Sequence, residues 1–249
     1  MTTTLSSAIE AQTGIVTERQ EAGGVTTIGI PSGFEKVDRA LLGFRRDQLY
    51  ILAGRPSMGK TACGLSMSLN VAHQGYKVLY VSLEMDASLL STRVLSSRTG
   101  IASNRIELGT ITKAELQQVQ NATHPNDIFF SIADENLDSR GLLELIKNME
   151  APPDFIVVDY ISLLRDRADL GQTERITQIS GNLREIARIC DAPVLALSQL
   201  NREVEKRENH MPILADLRDS GALEQDAFAV LFVYRPHYYA MMFDDAEPM

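Results

Sequence analysis

Cysteine, histidine and long apolar runs are all scarce in this chain. Its two cysteines, Cys63 and Cys190, are too few for a disulfide framework or a thiolate metal cluster, and Cys63 falls in a stretch read as a buried helix, so both are expected as reduced thiols. The four histidines, His73, His124, His210 and His237, have no metal-ligand spacing and read as surface or loop residues, so zinc is not indicated. No uninterrupted apolar stretch approaches the roughly 18 residues of a membrane span. The start, MTTTLSSAIEAQ, lacks the basic opening and apolar core of a secretory signal. A cytoplasmic protein with no membrane partner is the expectation. Positive charge is in deficit too. A net charge of −9 argues against a general basic coat for nucleic acid. A few arginines and backbone amides at one inner surface could still attract phosphate within a Debye length of ~8 to 10 Å.

What is present is the pattern of an ordinary α/β protein. The 249 residues suffice for a full core, 44% are hydrophobic and 23% charged, and there is no internal repeat or low-complexity tract. Residues 5–21 carry sparse apolar positions (Leu5, Ile9, Val16) that suit a short amphipathic helix, either a frayed terminus or an arm for a partner, ending at Gly23 and Gly24. From residue 48 strands and helices alternate. QLYILA, KVLYVSLE, DIFFSIA, FIVVDY, PVLALS and AFAVLFVY read as buried strands, and residues 60–74, 87–97 and 139–149 as helices. Thr112 with Glu115 fits a capping box, and Thr173 is expected to cap a long helix whose apolar face is Ile176, Ile179, Leu183, Ile186 and Ile189. This alternation predicts a mostly parallel sheet covered by helices on both faces, with its ligand beyond the carboxyl ends of the strands.

The chemistry centres on GRPSMGKTA. Gly54, Arg55, Pro56, Ser57, Met58, Gly59, Lys60, Thr61 and Ala62 follow a strand and open a helix, the context in which a glycine-rich loop wraps a chain of phosphates. There the loop amides face phosphate oxygens, Lys60 reaches the terminal phosphates and Thr61 offers a hydroxyl to magnesium. Asp159 ends the strand FIVVD, where it either caps the strand or holds magnesium through water; the nearby phosphate loop favours magnesium. Glu84 ends YVSLE and is either a base for the water attacking the γ-phosphate or a surface residue opening a helix. Gln199, at the end of LALSQ, has the position of a neutral γ-phosphate sensor, a weak signal read alone.

Taken in order, GIPSGFEKVDRALLGFRRDQLYILAGRPSMGKTA, YVSLEM, FIVVDYISLL, LALSQLNREVEKR and DLRDSGALEQDA resemble the motifs of the RecA-like motor domain of DnaB-type replicative DNA helicases, over residues 28–235. The resemblance implies a RecA-like P-loop NTPase fold, ATP with Mg2+ as cofactors, and hydrolysis coupled to movement on single-stranded DNA. It implies Glu84 as catalytic base, Gln199 as the link from γ-phosphate to DNA loops, and Lys60, Thr61 and Asp159 as nucleotide and magnesium residues. Arg218, Asp219 and Gly221 are implied to touch the DNA backbone, with Arg165 and Arg167 weaker candidates in a polar, solvated loop over residues 165–174. Further implications are a homo-oligomer, a hexameric ring with ATP at subunit boundaries, and primase or a helicase loader as partner.

The expected organisation is an arm or linker helix over residues 1–27, the motor over residues 28–235 and a loosely ordered tail over residues 236–249. Two departures from the family pattern stand out. Phe228 occupies a position usually acidic, and no Lys-x-Arg pair, the family's arginine finger, follows Arg235. The chain as given is therefore expected to bind ATP and turn it over slowly, and the competing reading is a catalytically weak ATP-binding assembly or regulatory module.

Overall fold

Short runs of aliphatic and β-branched residues form six strands in the computed structural model, which describes residues 2–24, 27–166, 169–217 and 221–243. The chain divides into two units, Met1–Arg45 and Arg46–Met249. In the first, helix α1 (Leu5–Glu21) has the bounds expected from its sequence. The Thr4 hydroxyl accepts from the Ser7 amide at its start, Gly23 and Gly24 take positive φ beyond its end, and none of its residues is buried. Helix α2 (Glu35–Leu41) follows, and Ile30 pairs with Phe44 in an antiparallel bridge. A Cβ on Gly29 would stand 2.2 Å from the Phe44 carbonyl oxygen, so this close approach requires glycine.

In the second unit the order is β1 (Leu49–Gly54), α3 (Lys60–His73), β2 (Val78–Ser82), α4 (Ala87–Thr99), α5 (Ser103–Glu107), α6 (Lys113–Gln120), β3 (Phe130–Ala133), α7 (Ser139–Asn148), β4 (Phe155–Asp159), α8 (Gln172–Cys190), β5 (Val194–Gln199), α9 (Gly221–Asp226), β6 (Ala229–Val233) and α10 (Pro236–Phe243). The strands lie as β3-β2-β4-β5-β1-β6, and every pair is parallel. Alternate strand residues such as Ile51, Val81, Val158 and Ala196 face a core completed by α7 and α8, while α3 crosses the opposite face. Its Gly64 lets Leu197 approach; a Cβ there would lie 3.2 Å from the leucine methyl. Because β1 and β2 are separated by β5 and β4, the chain leaves β1 to one side and later returns to its flanks, which opens a crevice at the carboxyl end of β1.

Several local expectations are corrected. The first half of DIFFSIA is a 3-10 turn, Pro125–Phe129, because the Asp127 carboxylate accepts from the His124 amide (2.8 Å) and from both ends of the Arg98 guanidinium (2.6 and 2.7 Å), which holds the chain coiled. Thr173 does not cap α8. The helix begins at Gln172 behind Gly171, so Thr173 lies inside the first turn and its carbonyl accepts from the Thr177 hydroxyl. Ile189 falls off the apolar face and is 52% exposed. The polar loop after β4 is not wholly solvated: Asp166 is buried, accepting from the Ser139 amide, the Ser139 hydroxyl and the Asn182 amide. The stretch expected as a loose tail starts as helix α10, where Tyr239 is buried and stacks on His210, ring centres 4.6 Å apart. Phe228 sits edge-on to Tyr50, ring centres 5.5 Å apart.

Candidate functional site

Strand β1 ends on Gly54, wedged between Gln199 of β5 and Val233 of β6; a Cβ there would lie 3.3 Å from the Val233 carbonyl oxygen. The chain then turns through Ser57 (φ 65°) and Gly59 (φ 91°) into α3. Met58 is buried and pins the loop to the core. The first helical bond runs from the Cys63 amide to the Gly59 carbonyl (2.9 Å), so the amides of Lys60, Thr61 and Ala62 precede it and point out of the helix start. Such a terminus carries partial positive charge and suits an anion.

A cleft of about 420 Å³ opens in front of the loop. It is lined by Arg55, Pro56, Ser57, Gly59, Lys60, Thr61 and Ala62, with Glu84, Met85, Arg93, Tyr160 and Gln199 opposite. Glu84 lies two residues past the end of β2, where the Ser82 hydroxyl donates to the Met85 carbonyl (2.6 Å) and the Leu83 amide to the Asp159 carbonyl (2.8 Å), a turn that overhangs the cleft. Burial pushes the Lys60 ammonium below its ordinary range, with the charges of Asp159 and Glu84 acting in the opposite sense, and its Nζ stands 4.8 Å from the Tyr160 ring centre.

Asp159, the last residue of β4, is buried, and its two oxygens differ. Oδ2 accepts from the Tyr80 hydroxyl at 2.8 Å; Oδ1 is buried with no hydrogen-bond partner among the described residues. An orphaned carboxylate oxygen is costly in a protein interior and is a hard donor of the kind magnesium takes, directly or through water. With the Thr61 hydroxyl at the start of α3, the donor set fits that ion.

The loop's own arginine is committed elsewhere. Nε and Nη2 of Arg55 both lie 2.8 Å from Glu205 Oε1, and Nη1 donates to the Leu200 carbonyl at 2.9 Å, so this side chain serves an ion pair although its residue borders the cleft. Of the DNA candidates, Gly221 is exposed at the start of α9, and Arg218 and Asp219 lie outside the described residues, as does Arg167. Arg165 is exposed, its amide donating to the Leu137 carbonyl at 3.0 Å.

Two features escaped the sequence reading. Arg93, on α4, enters the cleft with no hydrogen bond or ion pair among the described residues. The signal available was its helix, which starts at the carboxyl edge just after Glu84. His73 and His124, read separately as surface or loop residues, lie with ring centres 4.0 Å apart and planes tilted by 31° beside Asp127. Arg98 already fills that corner, 3.2 Å from His73 Nε2 and paired with both Asp127 oxygens, and it holds the Asp127 carboxyl well below its usual range. Burial, His124 and Arg98 lower the His73 pKa. Both thiols, Cys63 and Cys190, are free, and burial pushes each up.

The family model described as the DnaB-like helicase C-terminal domain matches residues 29–248. The replicative DNA helicase DnaB of Helicobacter pylori is 33% identical over 247 residues, covering 97% of this chain and 51% of that protein. Its counterpart from Geobacillus stearothermophilus is 37% identical over 221 residues, covering 85% of this chain and 48% of that one. The chain thus spans about half the length of the curated relatives it matches. Among solved structures, a 32% identical ATPase domain superposes with a TM-score of 0.84 over 96% of this chain and 86% of its own. A DnaB-like replicative helicase studied for its interactions with primase gives 0.82, at 32% identity, over 96% and 58%. No helix among the described residues is long and apolar enough to cross a membrane. With this match laid over an all-parallel sheet and a phosphate loop at its crevice, the chain belongs to the DnaB-like helicase C-terminal domain family.

Proposed function

We propose that this chain is the ATP-hydrolysing motor of a replicative DNA helicase, acting on single-stranded DNA in the cytoplasm as one member of a six-membered ring. The observation that carries the reading is one cleft shared by the phosphate loop, Glu84 and Gln199, with an oxygen of Asp159 that has no partner among the described residues at the neighbouring strand end. The loop amides and the start of α3 cradle the phosphates, and Lys60 contacts the terminal ones. Glu84 orients the attacking water and takes its proton. Thr61 and Asp159 would hold magnesium, which when bound neutralises charge on the phosphate oxygens. Gln199, level with Gly54 in the sheet, senses the γ-phosphate. Arg218, Asp219 and Gly221 contact the DNA backbone, arginine and glycine-flanked amides being indifferent to base identity. The domain limits 1–27, 28–235 and 236–249 belong to the same reading, with the arm docking on a neighbour. Primase is a proposed partner of the assembly because a similar helicase was solved with it in view, and a loader is proposed beside it.

The deciding experiment measures ATP hydrolysis with and without single-stranded DNA, alongside solution mass. Lys60→Ala should abolish nucleotide binding, whereas Glu84→Gln should keep it and slow turnover by about 10² to 10⁴; equal loss of binding in both would refute the roles given.

A further inference from the structure

The segment between Gln199 and Leu217 is tied at two places, one to the phosphate loop and one at Asp216 and Leu217. At the near end the Leu200 amide donates to the Gly54 carbonyl (3.2 Å), the Leu200 carbonyl accepts from Arg55, and Arg55 pairs with Glu205 in the 3-10 turn Arg202–Lys206. The Arg55 side chain is 10% exposed and that of Glu205 37%, so water reaches the pair from the carboxylate side only. At the far end Leu200 and Leu217 form an antiparallel bridge, the Asn201 amide donates to the Asp216 carbonyl (2.9 Å), and Arg207 donates to Asp216 Oδ1. Asp216 Oδ2 accepts from the Ile213 amide at 2.8 Å, and its side chain is 1% exposed. Arg218 follows Leu217 directly in the chain.

We infer that the Arg55–Glu205 ion pair couples occupancy of the phosphate loop to single-strand binding, with Glu205 as the positioning residue. The inference rests on the function proposed above. When the loop closes on phosphates its backbone shifts, and Arg55 carries that shift to the turn that holds Glu205. Only Lys206 separates Glu205 from Arg207, whose guanidinium grips the residue that opens DLRDSG. Two discrete ties on one short segment give it few ways to absorb movement at one end without moving the other. Coupling of this kind is reciprocal: nucleotide must change DNA affinity by the same factor as DNA changes nucleotide affinity.

The test uses the whole 249-residue chain, a fluorescein-labelled oligo-dT and a slowly hydrolysed ATP analogue with magnesium. DNA affinity is measured without and with saturating analogue, and the ratio is the coupling factor, expected at about 5 to 150 for the unsubstituted chain. Glu205→Gln should bring the ratio within about twofold of unity while analogue affinity stays within about threefold, and Glu205→Asp should restore much of it. A Glu205 that merely props the fold would lower the melting temperature and leave the ratio intact, so an unchanged ratio in Glu205→Gln overturns the inference. Should that variant melt below the assay temperature, Arg207→Gln, which removes the charge of the other tie, reads the same ratio there, and no change overturns the inference equally. If the unsubstituted chain binds both ligands with a ratio of one, this inference fails and the proposed function stands; if it binds neither, both fail.

Discussion

Replacing Tyr80 with phenylalanine isolates the carboxylate of Asp159, proposed above as a magnesium ligand. Tyr80 is buried and its hydroxyl donates to Asp159 Oδ2 at 2.8 Å. Burial, and then the charge of Asp159, push the Tyr80 pKa well up, so the hydroxyl stays protonated and remains a donor across the working range. Phenylalanine keeps the ring and removes one oxygen, which leaves the packing almost unchanged. What disappears is a hydrogen bond to a charged group, worth about 1.5 to 3 kcal/mol, and both oxygens of the buried carboxylate are then without a partner among the described residues. At about 2 to 4 °C per kcal/mol for a domain of this size, the melting temperature should fall by roughly 3 to 12 °C. Asp159→Asn provides the contrast: it removes a buried charge, should melt no lower than the unsubstituted chain, and should lose the stabilisation that magnesium nucleotide gives. That stabilisation is about 2.7 kcal/mol at a hundredfold excess over Kd. Differential scanning calorimetry with and without ligand reads all three proteins. A Tyr80→Phe chain melting within about 1 °C of its parent, or an Asp159→Asn chain with the full ligand shift, would refute the reasoning.

Gly29→Ala places a methyl 2.2 Å from the Phe44 carbonyl oxygen, so the Ile30–Phe44 bridge should open and limited proteolysis within residues 27–45 should accelerate, while nucleotide affinity is read separately. The Glu115 carboxyl is held at about 2, first by the Arg105 hydrogen bond and then by the Thr112 amide, against an ordinary 4.5. Its stabilisation is complete above 4.5 and is lost as pH falls through about 2. The melting temperature of the unsubstituted chain should accordingly drop more steeply than that of Glu115→Gln across that window; parallel curves would dismiss the pair as a stabilising contact.

The parts of this molecule legible in its sequence are those governed by local rules. Continuous apolar runs gave the strands, the glycine spacing gave the phosphate loop, and Thr112 with Glu115 formed both bonds of the expected capping box. Other features depend on partners distant in the chain. Arg55 is legible in the sequence only as a member of the phosphate loop, because the partner of its side chain, Glu205, lies 150 positions away. Asp127 sat in an apparent strand, and only Arg98, brought alongside by α4, shows why the chain coils there. Asp166 read as one acid among several in a polar loop until Ser139 and Asn182 closed around it. Strand ends place Asp159 and Gln199 at the carboxyl edge by pattern alone, yet nothing in FIVVD announces that one oxygen of that aspartate has a tyrosine and the other no partner among the described residues.

Helix α1 has a consequence for the timing of exchange with solvent. It runs for 17 residues with none buried, and Leu5 and Ile9 are 77% and 57% exposed. A helix of that length without tertiary support is marginal in water. Its amides should therefore trade hydrogen for deuterium within the earliest measurable interval, while those of β1 and β5, at the buried centre of the sheet, wait for global opening. A surface that captures the Leu5 and Ile9 face would move α1 from the first of these classes toward the second, so its exchange rate is a direct gauge of whether that face is occupied.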